Sequence, residues 1–382
     1  MTQKHKENFD VGKSLPNMLA HANRRQEITP KPLPVQKQKI GWKKVVLRLF
    51  LVVLILFIAS VGWLSYKFEK NCSKVFNDCT IFSLFASSPL KGEDTGRVNI
   101  LLAGNSVDDP GHSGAQLTDS IMLVSINTRD HTGYMLSIPR DLYVKYGTTN
   151  CPYGDDGKIN AVYECGQAQK FSESGYPSGG MGLLEKVVSQ DFGVPIDYYA
   201  LINYSAFRDM VNAVGGITVT IKSSDPRGVY DPYTALKLPN GVDKLDGGMA
   251  LALARSRGDG PGAYGVYSDF DRTNYQRQML TAVKDKATSL GVLTNPFKLG
   301  SLMDAAGNNV QTDFSGNNIR RLAKVSKQVP DSKIKSVSLN NIDGKGTNLL
   351  VSTYLDGSTL SPAAGIYDFS QIQGFVDQLN QQ

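Results

Sequence analysis

A long apolar stretch near the N-terminus constrains this chain more than any other feature. Residues 45–66 read VVLRLFLVVLILFIASVGWLSY, and Arg48 is the only charged residue among them. At roughly 1.5 Å of rise per residue, a helix of this length crosses the roughly 30 Å hydrocarbon core of a bilayer. The stretch therefore predicts one transmembrane helix over residues 45–66.

The flanks of this stretch predict its orientation. Four lysines lie within residues 37–44, whereas Lys67, Glu69 and Lys70 behind the span nearly cancel. By the positive-inside rule, residues 1–44 are cytoplasmic and the chain beyond the span is extracellular. A cleaved signal peptide is the alternative, but the run begins far from Met1 and no small-x-small site closely follows it. We expect a single-pass protein of the cell membrane whose extracellular part stays close to the lipid bilayer.

The net charge of +6 belongs to the N-terminal tail. Residues 1–48 carry eight more positive than negative charges, so the remainder of the chain is slightly acidic. Pro30, Pro32 and Pro34 interrupt this polar segment, a composition typical of disorder. Topogenic charge explains the lysines, and residues 1–44 show no helix-turn-helix pattern. We expect a disordered basic cytoplasmic tail and no nucleic-acid partner.

All four cysteines fall on the predicted extracellular side. Their short spacings favour the disulfides Cys72–Cys79 and Cys151–Cys165, although three pairings are formally possible. A zinc site is the rival interpretation, but the sequence has neither a Cys-x-x-Cys motif nor clustered histidines. The cysteines therefore predict two disulfides.

Beyond residue 97 the sequence alternates strand-like runs with amphipathic segments. VNILLAG (98–104), IMLVSIN (121–127) and GYMLSIP (133–139) are rich in the residues of buried strands. MGLLEKVVSQDFG (181–193) and YSAFRDMVNAVGG (204–216) have helical spacing and end in glycine. These runs predict an α/β fold.

Further elements extend this pattern to the C-terminus. DYYALIN (197–203) and ITVTIK (217–222) flank the second helix and predict another strand–helix–strand unit. Two more helices are predicted near 317–329 and 370–379, with a strand near 334–339. We expect a mixed central sheet with helices on both faces. No linker composition cuts off the C-terminal part, so residues 67–96 are assigned to an extracellular stalk and 97–382 to one domain.

Polar residues follow the predicted strands, where open α/β sheets bind ligands. Asp108, Asp109 and Asp119 lie between the first two strands, and Arg140 and Asp141 follow the third. Arginines suit bidentate contact with phosphates, and carboxylates suit magnesium. The sequence has neither a Gly-x-Ser-x-Gly elbow nor a His-Glu-x-x-His helix, so a serine hydrolase and a zincin have no support.

Four motifs, in this order, carry a resemblance to a known family. SIPRDLYV (137–144), KINAVY (158–163), ALARSR (252–257) and SDFDRTNYQRQ (268–278) resemble the LytR-CpsA-Psr family of membrane-anchored cell-wall glycopolymer ligases. The resemblance runs from about Val98 to the C-terminus. It implies a transferase that moves a glycan from a polyprenyl-pyrophosphate carrier to a hydroxyl of peptidoglycan or another wall acceptor, forming a phosphodiester.

The resemblance also implies roles for particular residues. The pyrophosphate would be held by Arg140, Lys158, Arg255, Arg257, Arg272 and Gln276. Arg255 and Arg257 would point the same way on an extended segment, and Arg272 and Gln276 would share a helix face. Asp119, with Asp108 as a second candidate, would bind Mg²⁺ or Mn²⁺. Asp269 is the first candidate for the general base and Asp141 the second, and the lipid tail would lie in an apolar cleft.

The chain departs from the family pattern at three positions. Ser106 stands where many members have an aspartate, Leu117 where an arginine precedes Asp119, and Tyr275 where another arginine is expected. Asp108, Asp109 or His112 are candidates to replace the lost metal contact. Two other functions stay open: a phosphohydrolase that uses water as the acceptor, and a non-catalytic protein that binds wall glycan or regulates an envelope pathway.

Overall fold

The computed structural model describes residues 54–56, 59–60, 62–63, 66, 88–109, 114–148, 151–258, 260–266, 268–292, 307 and 309–382. The predicted cytoplasmic tail, most of the predicted span and stalk, and the predicted Cys72–Cys79 disulfide lie outside these residues. The described residues of the span are helical. Within the described ranges, no helix combines the length and the apolar character that crossing a membrane requires.

A mixed six-stranded sheet forms the centre of the fold. The described strands are β1 (Arg97–Gly104), β2 (Ser120–Asn127), β3 (Thr132–Ile138), β4 (Tyr143–Lys145), β5 (Asp156–Lys158), β6 (Tyr198–Ile202), β7 (Ile217–Ile221), β8 (Val229–Asp231), β9 (Leu236–Leu238), β10 (Gly241–Leu245), β11 (Val310–Thr312), β12 (Ile334–Ser338), β13 (Leu350–Thr353) and β14 (Thr359–Pro362). The sheet has the order β11-β6-β1-β2-β3-β12. Strand β1 is parallel to β6 and β3 is parallel to β12, whereas the other neighbours are antiparallel. The predicted mixed sheet is confirmed.

Helices cover both faces of this sheet, as predicted. The described α-helices are α1 (Val162–Ala168), α2 (Gly180–Phe192), α3 (Tyr204–Ala213), α4 (Gly247–Arg255), α5 (Asp269–Ser289), α6 (Gly316–Gln328) and α7 (Ser370–Asn380). Because successive side chains of a strand point to opposite faces, Leu101 and Ala103 of β1 join a core with α1, α2 and α7. Val98 and Ile100 join a second core with residues of α6.

Side-chain caps fix the start of the three helices that later carry site residues. Asn203 accepts a hydrogen bond from the backbone N–H of Ala206 at the start of α3. Asp246 and Ser268 do the same at the starts of α4 and α5. Such caps satisfy N–H groups that have no partner within the helix, typically worth about 1 kcal/mol each. The sequence thus sets where these helices begin.

Strand β7 does not join the main sheet. The sequence predicts a strand–helix–strand unit in which residues 217–222 follow α3, but β7 pairs with β10 in a separate two-stranded sheet. Both edges of β6 are already occupied, by β1 and β11. Strand β7 therefore helps to build a third core with α3, α4 and α5, which includes Val211, Val219 and Leu253.

The predicted disulfide between Cys151 and Cys165 is present. It joins the segment before β5 to α1, with the two Cα atoms 4.7 Å apart. Lys158 of the KINAVY motif lies between the bridged residues, at the end of β5. The bridge therefore closes the segment that contains this lysine and restricts its conformations.

Candidate functional site

A cleft of about 540 Å³ opens between the sheet and helices α3, α4 and α5. Its inner part is apolar. Leu102, Met122 and Ile202 line it from adjacent strands, because they project from the same face of the sheet. The facing helices contribute Phe207, Met210, Val211, Leu251, Met279, Leu280 and Val283. A pocket of this size and lining suits an apolar ligand.

The mouth of this cleft is polar and positively charged. It is lined by Asn105, Asp119, Tyr204, Arg255, Arg257, Arg272 and Gln276. Asn105 follows β1, Asp119 precedes β2, Tyr204 begins α3 and Arg255 ends α4, so these side chains meet where the four elements come together. The ALARSR and SDFDRTNYQRQ motifs line this opening directly, and Arg140 and Asn160 of the other two motifs contact Asp119 there.

Asp119 is the centre of the charge network at the mouth. Its carboxylate accepts from Nη1 of Arg140 at 2.9 Å, from Nη2 of Arg257 at 3.3 Å and from Nδ2 of Asn160 at 3.2 Å. Its backbone oxygen accepts from Nη2 of Arg272 at 3.0 Å. Burial opposes ionisation of Asp119, but Arg140, Asn160 and Arg257 outweigh it, so its pKa lies below the usual value. Asp119 is therefore an ionised carboxylate that orients several cations.

A second ion-pair group joins the first through Arg140. Nε of Arg140 lies 3.5 Å from Oδ2 of Asp141, and Nζ of Lys158 lies 2.8 Å from Oδ1 of the same carboxylate. Lys158 reaches Asp141 because β4 and β5 pair antiparallel, with Tyr143 opposite Lys158. The SIPRDLYV and KINAVY motifs therefore form one continuous ion-pair network with Asp119.

The two arginines of ALARSR both line the mouth. Arg255 ends α4, and Ser256 after it is extended, with φ −59° and ψ 129°. Nη2 of Arg255 lies 3.4 Å from Oδ2 of Asp109, and Nη2 of Arg257 pairs with Asp119. Both guanidinium groups are more than one third exposed, which leaves N–H donors available to a ligand.

Helix α5 closes the mouth from the other side. Arg272 is buried, whereas Gln276 accepts from the hydroxyl of Ser120 at 2.9 Å and donates to the backbone oxygen of Ala254 at 3.0 Å. Asp269 is the first residue of this helix, but its side chain lies outside the described part of the structure. Its role as general base stays a prediction, as does that of Asp141.

Asp108, the second candidate metal ligand, holds the start of α3. Its two carboxylate oxygens accept from the backbone N–H groups of Tyr204, at 3.1 Å, and Ser205, at 2.7 Å. Burial opposes ionisation, but the hydrogen bonds from these two residues lower its pKa. Asp108 is not among the described residues that line the cleft. Its metal-binding role stays a prediction that the geometry does not favour.

Three residues at or beside the mouth were not assigned from the sequence. Asn160 belongs to KINAVY, so the motif itself was a signal, and its side chain contacts Asp119. Asn105 directly follows β1, and its buried Oδ1 has no hydrogen-bond donor among the described residues. Tyr204 lies with its ring 4.5 Å from the guanidinium carbon of Arg255. No local pattern distinguishes Tyr204 from other helix-starting tyrosines.

The basic side chains at this opening outnumber the acidic ones. Among the described residues that line the cleft, three are arginines, Arg255, Arg257 and Arg272, and two carry carboxylates, Asp119 and Asp231. The described lining therefore has more basic than acidic side chains. The site can therefore bind an anion whose apolar part enters the cleft.

Known proteins resemble this chain in sequence and in fold. The sequence model of the LytR_cpsA_psr family matches residues 67–364. The chain is 34% identical over 225 residues to a polyisoprenyl-teichoic acid–peptidoglycan teichoic acid transferase, TagU of Oceanobacillus iheyensis, covering 59% of this chain and 61% of that protein. It thus spans less than two thirds of that relative. It is 30% identical over 288 residues to TagT of Bacillus subtilis, a protein with the same functional name, covering 73% of this chain and 80% of TagT.

A solved structure supports the fold. The crystal structure of protein gbs0355 from Streptococcus agalactiae superposes with a TM-score of 0.54 at 25% sequence identity, covering 76% of this chain and 92% of that protein. The predicted sheet and helix arrangement therefore matches an experimentally determined architecture.

Proposed function

This chain belongs to the LytR_cpsA_psr family, and from that premise we propose that it transfers a glycopolymer from a polyprenyl-pyrophosphate carrier to a hydroxyl of peptidoglycan or another wall acceptor. The relatives whose names specify teichoic acid transfer to peptidoglycan support this substrate class. The product is a phosphodiester between glycan and acceptor.

The observation that carries the proposal is the joining of a basic mouth to an apolar cleft. A polyprenyl pyrophosphate has an anionic head on a long hydrocarbon tail, and the two parts of the site match these two chemistries. Arg255 and Arg257 present guanidinium donors that suit bidentate phosphate contacts. Leu102, Met122 and Met279 supply the apolar lining for the tail.

The residues of the mouth perform the reaction mainly by charge and position. The acceptor oxygen attacks the sugar-linked phosphorus and forms a new P–O bond, while the bridging P–O bond breaks and the polyprenyl phosphate leaves. The arginines and Lys158 stabilise the negative charge that grows on the phosphate oxygens. The hydroxyl proton passes to a carboxylate, with Asp269 the first candidate and Asp141 the second.

The donor set fits a magnesium ion at one place. Magnesium prefers oxygen ligands and is usually held by one or two carboxylates together with substrate phosphates. Asp119 offers an ionised carboxylate, and Asn105, adjacent across the ends of β1 and β2, offers a buried oxygen with no described donor. These two residues would hold the ion, and Mn²⁺ would suit the same ligands. The metal would supply further neutralisation of phosphate charge.

The location of the protein is part of the proposal. The apolar stretch 45–66 and its lysine flank predict a single membrane anchor with the N-terminus in the cytoplasm. We therefore propose that the domain lies outside the cell, close to the lipid bilayer that carries its substrate. Polyprenyl carriers and wall acceptors meet at this surface, so the anchor accords with the proposed reaction.

A transfer assay with the full-length protein tests the function. A labelled polyprenyl-pyrophosphate-linked glycan is incubated with and without peptidoglycan, and label in the wall fraction is measured. We expect acceptor-dependent transfer and a loss of about 100-fold in Arg255→Ala and Arg257→Ala, as for removal of a transition-state donor. Arg208→Ala is the matched control, because Arg208 is an exposed arginine of α3 outside the cleft.

Two outcomes contradict the proposal. Equal release of polyprenyl phosphate with and without acceptor, and no label in the wall, would indicate a phosphohydrolase. If no protein turns over the labelled donor, and both arginine variants keep the function of the native protein in the cell, the role is non-catalytic glycan binding or regulation.

A further inference from the structure

The start of α3 brings an aromatic side chain into the charged mouth. Tyr204 lines the cleft together with Arg255, Arg257 and Asp119. Its backbone is fixed on both sides, because Asn203 caps the helix and Asp108 accepts from the N–H groups of Tyr204 and Ser205. Few rotatable bonds separate this fixed backbone from the ring. The position of Tyr204 is therefore set by the fold before any ligand binds.

The face of the Tyr204 ring packs against the guanidinium group of Arg255. The guanidinium carbon of Arg255 lies 4.5 Å from the ring centroid, within the distance at which a cation and an aromatic ring attract. Asp109 contacts the same guanidinium from its edge, at 3.4 Å. These two contacts restrict Arg255 and leave its other N–H groups directed at the cleft. Stacking suits arginine better than lysine here, because a planar group can lie flat on the ring.

The hydroxyl of Tyr204 belongs to the same environment. Burial raises the pKa of the phenol, and the neighbouring Asp119 adds to this effect, against the charges of Arg255 and Arg257. A protonated phenol carries one O–H group that can donate a hydrogen bond. Ser106 lies within hydrogen-bonding reach of this hydroxyl and is itself buried. Ser106, where the family resemblance led us to expect an aspartate, thus contacts Tyr204.

On the basis of the proposed function, we propose that Tyr204 is a pyrophosphate-binding residue: its ring is the platform for Arg255, and its hydroxyl donates a hydrogen bond to a phosphate oxygen of the polyprenyl-pyrophosphate donor. Ser106 is the positioning residue that directs the phenol. The two contributions are separable, because phenylalanine keeps the platform and removes the donor, whereas leucine removes both.

Binding of farnesyl pyrophosphate to the full-length protein in detergent tests this proposal, with farnesyl monophosphate as the second probe. Tyr204→Phe is expected to weaken pyrophosphate binding about tenfold, as for loss of a hydrogen bond to a charged group. Tyr204→Leu is expected to weaken it by about a further fivefold through loss of the stacked platform. Tyr198→Phe is the matched control, since this buried tyrosine bonds the backbone N–H of Lys91 away from the cleft.

A double-mutant cycle tests the role of Ser106. If Ser106 acts through the Tyr204 hydroxyl, Ser106→Ala weakens binding in the native background but has almost no further effect in Tyr204→Phe. Additive losses would contradict that role. Tighter binding of farnesyl pyrophosphate by Tyr204→Trp than by Tyr204→Leu would support the platform role of the ring. Equal binding by the two variants would contradict it.

The outcomes separate this inference from the function on which it rests. If native protein binds farnesyl pyrophosphate and Arg255→Ala abolishes binding, but Tyr204→Phe and Tyr204→Leu bind like the native protein, Tyr204 is not a binding residue. If the native protein binds neither probe, the proposed function itself fails. Equal losses for the two probes in Tyr204→Phe would assign the hydrogen bond to the phosphate that both probes share, whereas a loss for the pyrophosphate alone would assign it to the terminal phosphate.

Discussion

The protonation state of Glu185 can be tested directly, because this residue of α2 has a carboxyl group buried in the fold. It is only 5% exposed, and its Oε1 has no hydrogen-bond partner among the described residues. Burial, reinforced by the charge of Asp313 and opposed by Lys91, raises the pKa of Glu185 from 4.5 to about 8. The folded protein thus holds a proton that the unfolded chain loses at a much lower pH.

The sign and size of the effect follow from this difference. Below pH 4.5 both states are protonated and stability is unaffected. As the pH rises towards 8 only the unfolded state ionises, so the free energy of unfolding falls by about 1.4 kcal/mol per pH unit. Above pH 8 the folded state ionises too, and the accumulated loss stays at about 5 kcal/mol. Glu185→Gln removes this loss, because glutamine does not ionise.

Urea unfolding of the full-length protein, followed by circular dichroism between pH 5 and pH 9 in steps of about one pH unit, measures the effect. The stability difference between Glu185→Gln and the native protein is expected to grow in favour of glutamine as the pH rises, then level off. Glu173→Gln is the control, since that carboxylate is 46% exposed and pairs with Lys186 at the surface. A difference that stays constant over this range, or that grows as the pH falls, would refute the buried, protonated state of Glu185.

Three further predictions concern other parts of the fold. Asp119→Asn removes the ionised metal ligand, so we expect pyrophosphate binding to lose its dependence on Mg²⁺ in titrations with and without chelator. If binding in this variant still depends on Mg²⁺, the metal site lies elsewhere. Replacing Cys151 and Cys165 by serine opens a loop of sequence separation 14 and is expected to destabilise the protein by about 3 kcal/mol in thermal unfolding, whereas an unchanged midpoint would assign the bridge no stabilising role. Arg277 is buried, burial lowers its pKa to about 10, and no described carboxylate pairs with it. Arg277→Met is therefore expected to raise the free energy of unfolding by about 1 to 4 kcal/mol. A lower free energy of unfolding in this variant would contradict the idea of an uncompensated charge.

Local patterns predicted the individual elements of the fold well. The strands β1, β2 and β3 and the helices α2, α3, α6 and α7 lie within a few residues of the segments chosen by periodicity and end signals. Hydrophobic spacing and capping residues act over one or two turns, so they are readable from the sequence. The Cys151–Cys165 bridge was predictable for the same reason, because its short spacing limits the possible partners.

The pairing of β7 was not predictable in this way. Its apolar alternation specifies a strand, but the choice of partner depends on which sheet edges are free, and β1 and β11 occupy both edges of β6. That information lies in residues far from β7. Strand partners are therefore a property of the whole fold, whereas strand formation is largely local.

The candidate site divides along the same line. The motifs indicated the basic residues, and the structure brings Arg255, Arg257 and Arg272 to one cleft with Asp119. The bonding of Asp108 to α3 and the stacking of Tyr204 on Arg255 depend on where α3 begins relative to the loop after β1. Neither contact has a spacing signature, so neither is predictable from the sequence.

Two lipids that differ by one phosphate test whether the basic mouth recognises a diphosphate. Binding of farnesyl pyrophosphate and farnesyl monophosphate is measured for native full-length protein, Arg257→Ala and Arg227→Ala, the last an exposed arginine paired with Asp225 outside the cleft. We predict that the native protein and Arg227→Ala bind the pyrophosphate at least about tenfold more tightly than the monophosphate, as expected for charge-assisted contacts. Arg257→Ala should lose most of this preference while keeping its monophosphate affinity. Equal preference in all three proteins would contradict the claim that this basic mouth recognises the diphosphate.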